Sequence, residues 1–207
     1  ATWEFSTDSG ASFSAGTGTS FTLATGSYAA NAVQVRQTDV AGNTGTAGRI
    51  GTAITVDVAA AAPGLALASD TGSSNSDGIT SAGTVNVTGL EAGATWEVSI
   101  NGGAFAAGTG SSLTLAAGNY AAGAVQVRQT DAAGNTSSVG SNAGALNVDT
   151  TAPAAPGVAL GADTGSSNSD GITRDGTVSV SGLEPDASWQ FSTDSGATFG
   201  AGNGSSF

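Results

Sequence analysis

Residues 125–136 read VQVRQTDAAGNT, and residues 33–44 read VQVRQTDVAGNT. In an extended chain Val125, Val127 and Gln129 fall on one side, while Gln126, Arg128 and Thr130 fall on the other. That alternation predicts a strand with one buried face. The phrase then runs into Asp, Gly and Asn, residues that favour turns because they bond locally to the backbone or tolerate unusual dihedrals. Its two occurrences make it one element of a repeat.

Working outward, the three tryptophans set the period. Trp96 lies 93 residues after Trp3, and Trp189 lies 93 residues after Trp96. Each sits in a matching phrase: ATWEF at 1–5, ATWEV at 94–98 and ASWQF at 187–191. DTGSSNSDGIT occupies residues 70–80 and recurs unchanged at 163–173. A unit of this length can bury a core of its own, whereas solenoid repeats are usually shorter. The chain therefore reads as about two domain equivalents in series, and residues 187–207 restate residues 1–21.

Composition narrows the chemistry. Sixteen acidic residues stand against four Arg, with no Lys or His, for a net charge of −12. Such a surface repels nucleic-acid phosphates and anionic membranes and favours cations. The absence of Cys removes disulfides and thiolate zinc sites, and the absence of His removes the commonest general base and transition-metal ligand. The expectation is a protein that is not an enzyme. No apolar run approaches the roughly 18 residues of a membrane-spanning helix, so direct membrane insertion is not expected.

Short alternating or β-branched runs bounded by Gly, Asn, Asp and Ser predict strands at 65–67, 84–88, 95–99, 112–115, 124–130 and 145–148. A further run at 104–106 follows the hairpin signal Asn101-Gly102-Gly103. No segment carries a helical period. Two antiparallel sheets closing over Val85, Val87, Trp96, Leu113, Leu115, Val125 and Val127 make an all-β sandwich.

Four features together resemble the bacterial immunoglobulin-like repeats of giant secreted surface adhesins. They are the linker VDTTAPAAP from Val148, the DTGSSNSDGIT loop, the Trp on the third strand and the QTDAAGNTS loop from Gln129. Leu115-x-x-Gly118-x-Tyr120, repeated as Leu23-x-x-Gly26-x-Tyr28, looks like the tyrosine corner of such sandwiches. The resemblance implies tandem immunoglobulin-like antiparallel β-sandwiches of about 93 residues in an extended array. With the Ala/Pro-rich linker as the boundary, residues 1–58 are the C-terminal part of one domain, 59–150 a complete domain, and 151–207 the N-terminal part of a third. Partial domains of this kind leave apolar faces and open edges, so either neighbouring chains complete them or the chain is a window on a longer array.

Twelve of the sixteen acids are Asp, and most recur in loops. The first group, in the loop after strand A, is Asp70, Asn75 and Asp77, repeated as Asp163, Asn168 and Asp170. The second, in the loop after strand F, is Asp39 with Asn43 and Asp131 with Asn135. The third is Asp57 and Asp149, before the linkers. In the implied sandwich the first and third groups lie at one end and the second at the other, so they face each other across a linker. Carboxylates gathered there repel unless a cation sits between them, and Ca²⁺ takes six to eight oxygens from flexible loops. The alternative is that these residues simply make turns. At about 1 mM, calcium bound with a Kd on the order of 10⁻⁴–10⁻³ M adds roughly 0.4–1.4 kcal/mol per site, enough to tune a junction but not to create a fold.

Asp70-Thr71-Gly72 also matches the motif around an aspartic-protease carboxylate. That chemistry needs two carboxylates sharing a proton, and Asp70 and Asp163 occupy equivalent sites in separate repeats. Arg36 and Arg128 are expected to pair with cross-strand acids. The glycosylation triplets at 86–88, 135–137 and 203–205 fall at irregular places.

The expected function is a structural extender in a bacterial surface or secreted adhesin, with interdomain linkers stiffened by Ca²⁺ and neighbouring repeats as partners. One alternative is a filament subunit whose half-domains are completed by strand exchange. Another is a glycan- or protein-binding module, against which Trp96 is assigned to the core.

Overall fold

The computed structural model describes residues 1–207, with twenty β-strands and no helix. The chain divides into two compact units, Ala1–Thr150 and Thr151–Phe207. The first unit opens with β1 (Thr2–Ser6), β2 (Ser14–Ala15), β3 (Gly26–Tyr28), β4 (Gln34–Thr38), β5 (Gly48–Arg49) and β6 (Ile54–Val56). It continues with β7 (Gly64–Leu67), β8 (Ile79–Thr80), β9 (Thr84–Thr88), β10 (Thr95–Ile100) and β11 (Ala106–Ala107). It ends with β12 (Ser112–Thr114), β13 (Gly118–Tyr120), β14 (Val125–Thr130), β15 (Gly140–Ser141) and β16 (Leu146–Val148). The second unit holds β17 (Gly157–Leu160), β18 (Val178–Ser181), β19 (Gln190–Phe191) and β20 (Gly200–Ala201).

In residues 59–150 the strands form sheets ordered β11-β10-β14-β15, β12-β9-β7 and β13-β16-β8. The alternation read in residues 125–130 is what the structure shows: Val125, Val127 and Gln129 are fully buried, and the residues between them are half-buried. From the facing sheet Val85 and Val87 close over them, with Trp96, Leu115, Tyr120 and Val148 completing the core. This arrangement is consistent with a β-sandwich. The strand list is longer than periodicity predicted, because β8, β13 and β15 are two or three residues long and carry little pattern. The run expected at 104–106 is a strand at Ala106–Ala107. Asn101 and Gly102 both take positive φ at the tip of the β10–β11 hairpin, where Gly103 N donates to the Ile100 carbonyl.

One pairing departs from the antiparallel expectation. After β7 the chain crosses through residues 68–78, and β8 runs parallel to β16, with Asn147 beside Ile79 and Val148 beside Thr80. Thr80 is buried there and donates through Oγ1 to the Ser69 carbonyl.

Two sequence signatures have direct packing reasons. The Trp96 indole lies so close over Gly108 that a Cβ built there would sit 2.3 Å from Cε2, and its Nε1 donates to the Gly110 carbonyl at 2.9 Å. Trp3 and Trp189 repeat both contacts, with Gly16 and Gly18 and with Gly202 and Gly204. The Tyr120 hydroxyl donates to the Ala116 carbonyl four residues upstream, and Tyr28 does the same to Ala24, both at 2.9 Å. Arg128 meets Glu97 at 2.8 Å and lies over the Phe105 ring, while Arg36, Glu4 and Phe13 repeat that arrangement. Between Ser6 and Gly16 the chain has one residue more than between Ser99 and Gly108, so residue 125 follows residue 33 by 92 rather than 93.

Residues 1–58 carry the sheet β2-β1-β4-β5 and the pair β3-β6. Val35, the counterpart of fully buried Val127, is 38% exposed. In the second unit β17 pairs with β18 and β19 with β20; Val180 is buried, whereas Val158 and Leu160 are exposed.

Candidate metal centre

The loop after β14 builds itself from local bonds. Asp131 Oδ1 accepts from the backbone N–H groups of Ala133 and Asn135, each at 2.8 Å, and Oδ2 accepts from Asn135 Nδ2 at 2.8 Å. Gly134 takes φ +93 to close the turn. The Asn135 amide, followed by the backbone donors, holds the Asp131 carboxyl below its ordinary value of 3.8. Asp39 makes the same set of bonds with Ala41 and Asn43 and is lowered in the same way, first by Asn43. The turn therefore forms on its own, and the turn reading accounts for the loop geometry of both aspartates.

The difference lies in what surrounds them. Asp39 is exposed, whereas Asp131 is only 8% exposed and shares a depression with Asp57 and with Glu91 and Ala92 of the turn before β10. Asn135 Nδ2 also donates to the Asp57 carbonyl at 3.1 Å, bridging two residues 78 apart. Glu91, in the turn before β10, accepts through Oε1 from Ala61 N at 2.7 Å. Asp57, Glu91 and Asp131 converge, with one carboxylate oxygen from each lying within 4.8 Å of the others. A depression of about 240 Å³ holds them, lined also by Thr55 and residues 132–133.

The donor set is entirely oxygen, carries three negative charges and includes neither nitrogen nor sulfur. That suits a hard divalent cation of the Ca²⁺ or Mg²⁺ class, with flexible coordination favouring Ca²⁺. Each carboxylate oxygen retains acceptor capacity beyond the bonds described.

Of the residues expected to bind metal, Asp57, Asp131 and Asn135 are thus brought together. Glu91 is an addition. Its signal was present in the sequence, since GLE precedes each of the last two tryptophans at the same offset, placing Glu91 five residues before Trp96 and Glu184 five before Trp189. It lies outside the recurring Asp positions.

The other groups behave differently. Asp70, Asn75 and Asp77 line a depression of about 580 Å³ with residues 142–146. Asp70 Oδ2 accepts from Gly78 N and Asp77 Oδ1 from Ile79 N, both at 2.9 Å. In the second unit Asp163 and Asp170 accept from Gly171 and Ile172, and Asn168 is exposed. Oδ1 of Asp70 and of Asp163 is withdrawn from solvent and accepts no hydrogen bond. Asp149 follows β16 directly. Its N–H bonds the Thr80 carbonyl, at the end of the parallel β8–β16 pair away from Asp77. Parallel pairing sends the end of β16 away from the loop that its beginning touches.

No family model matches this chain, and no curated protein matches it.

Proposed function

We propose that the chain is a run of tandem immunoglobulin-like β-sandwich repeats, divided at residues 58 and 150, acting as an extender in a bacterial surface or secreted adhesin. Ca²⁺ bound by Asp57, Glu91 and Asp131 stiffens the linker between consecutive repeats. The carrying observation is the convergence of these three carboxylates, one from each side of the linker and one from the turn before the Trp strand. A −12 surface without His, Cys or Lys supports a mechanical role over catalysis. Millimolar calcium is an extracellular condition, which supports the assignment outside the cell, where the linker would stiffen after export. The 5% exposure of Trp96 favours this reading over glycan binding by ring stacking.

The test is small-angle scattering of the full chain in about 1 mM calcium and in chelator, a range set by the affinity of extracellular calcium modules. Calcium is expected to narrow the distribution of dimensions. Identical profiles in the two conditions overturn the proposal.

A further inference from the structure

The phrase VQVRQTD places a glutamine where the alternation of β14 calls for an apolar residue. Gln129 is fully buried, and a buried amide is destabilising unless its donors and acceptor are matched. All of them are matched here. Nε2 donates to the carbonyls of Ala61 at 2.8 Å and Gly89 at 3.1 Å, and Oε1 accepts from Glu91 N at 2.8 Å. Gln129 N also donates to Ser137 Oγ at 3.0 Å. One side chain thus ties together the linker, the turn that carries Glu91, and the strand that leads into Asp131.

The same chain contains the comparison. Gln37 stands in the same phrase on β4 and is exposed; its backbone pairs with Trp3, and its carbonyl accepts from Gly45 N. The Asp39 turn forms beside it all the same, with the bonds already given for Asp131. The glutamine is therefore not required to make the aspartate turn. At residue 129 the buried amide bonds both the turn that carries Glu91 and the linker that follows Asp57. Glu91 is held at both ends, its N–H by Gln129 and its Oε1 by Ala61 N, while the Ala61 carbonyl is itself held by Gln129.

We propose that Gln129 is the positioning residue of this junction, fixing the linker and Glu91 beside Asp131 before any cation arrives. The inference rests on the calcium reading for its functional meaning, but the clamp itself is independent of metal. Residues that orient metal ligands without touching the metal typically change affinity by about 10–100-fold when replaced.

The experiment has a metal-free arm and a calcium arm, both on the full chain. In chelator, NMR exchange of side-chain amide protons is compared between Gln129 and Gln37, and Gln129 is expected to exchange at least about 10-fold more slowly. Equal rates overturn the proposal, and this measurement needs no variant to fold. Gln129→Met is then expected to speed exchange of the Ala61 and Glu91 backbone amides by a similar factor while the amides of Val87 and Val127 keep their protection; unchanged Ala61 and Glu91 amides also overturn it. In the second arm, calcium titration calorimetry is run on the unaltered chain, Gln129→Met and Gln37→Met. An affinity loss of about 10-fold or more confined to Gln129→Met supports positioning. A folded Gln129→Met that binds calcium as tightly as the unaltered chain overturns it. Failure of the unaltered chain to bind calcium overturns the calcium reading instead, and the metal-free arm still decides whether Gln129 is a clamp.

Discussion

Gly108→Ala is the most direct probe of the packing that defines the repeat. An exposed strand glycine usually gains on replacement by Ala, because Ala has less conformational entropy to lose, by about 0.4–1 kcal/mol. Here the added methyl would lie 2.3 Å from Cε2 and 2.4 Å from Cδ2 and Cη2 of Trp96, far inside contact distance. Trp96 is 5% exposed and cannot move aside into solvent. Overpacking of this kind costs about 1–3 kcal/mol. Shifting the ring also stretches the Nε1 bond to the Gly110 carbonyl, worth about 0.5–1.5 kcal/mol. Set against the entropic gain, the net destabilisation is about 0.5–4 kcal/mol, centred near 2, and that central value should lower the melting temperature by roughly 4–8 °C for a unit of this size. Urea unfolding followed by tryptophan fluorescence and circular dichroism measures it. Gly16→Ala, under the half-buried Trp3, serves as the internal control and should cost less because that ring has room to tilt. A Gly108→Ala protein as stable as the original would refute the claim that the Trp96 ring leaves no room for a side chain at residue 108.

Three further outcomes are expected. Val127→Ala should destabilise by about 2–3 kcal/mol in chemical denaturation, from two lost methyl groups plus the cavity they leave, whereas Val35→Ala, 38% exposed, should cost less than about 1 kcal/mol. Glu91→Gln should reduce calcium affinity by about 10-fold or more in titration calorimetry while Asp39→Asn leaves it unchanged, since Asp39 shares the turn of Asp131 but not its carboxylate neighbours. Acid unfolding should track the aspartate turns. Ser12 and Ser6 hold the Asp8 carboxyl down at about 2, and Asp39 and Asp131 are also lowered, so their stabilisation is complete above 3.8 and is lost as pH falls through the lower folded values. Circular dichroism between pH 4 and pH 2 should show the loss, and Asp8→Asn should flatten that part of the curve.

What the sequence determined by itself is whatever depends on near neighbours or strict alternation. The buried face of Val125 and Val127, the turns of Asp39 and Asp131, the tyrosine bonds to Ala24 and Ala116, and the Asn101-Gly102 hairpin all arise within a few residues, so they can be read from a short phrase. Asp57 and Asp131, expected from the sequence to face each other, have carboxylate oxygens within 4.8 Å of one another. The tertiary structure decided the rest. Glu91 joins the site because the linker folds back on the turn before β10, and that contact spans 30 residues. The parallel pairing of β8 with β16 holds Asp149 away from Asp77, a relation that no local pattern encodes. Above all, Gln129 is buried with three side-chain partners, lying 38, 40 and 68 residues away along the chain. Local sequence fixes the strand, while distant segments that fold over it supply the partners that let a polar side chain be buried there.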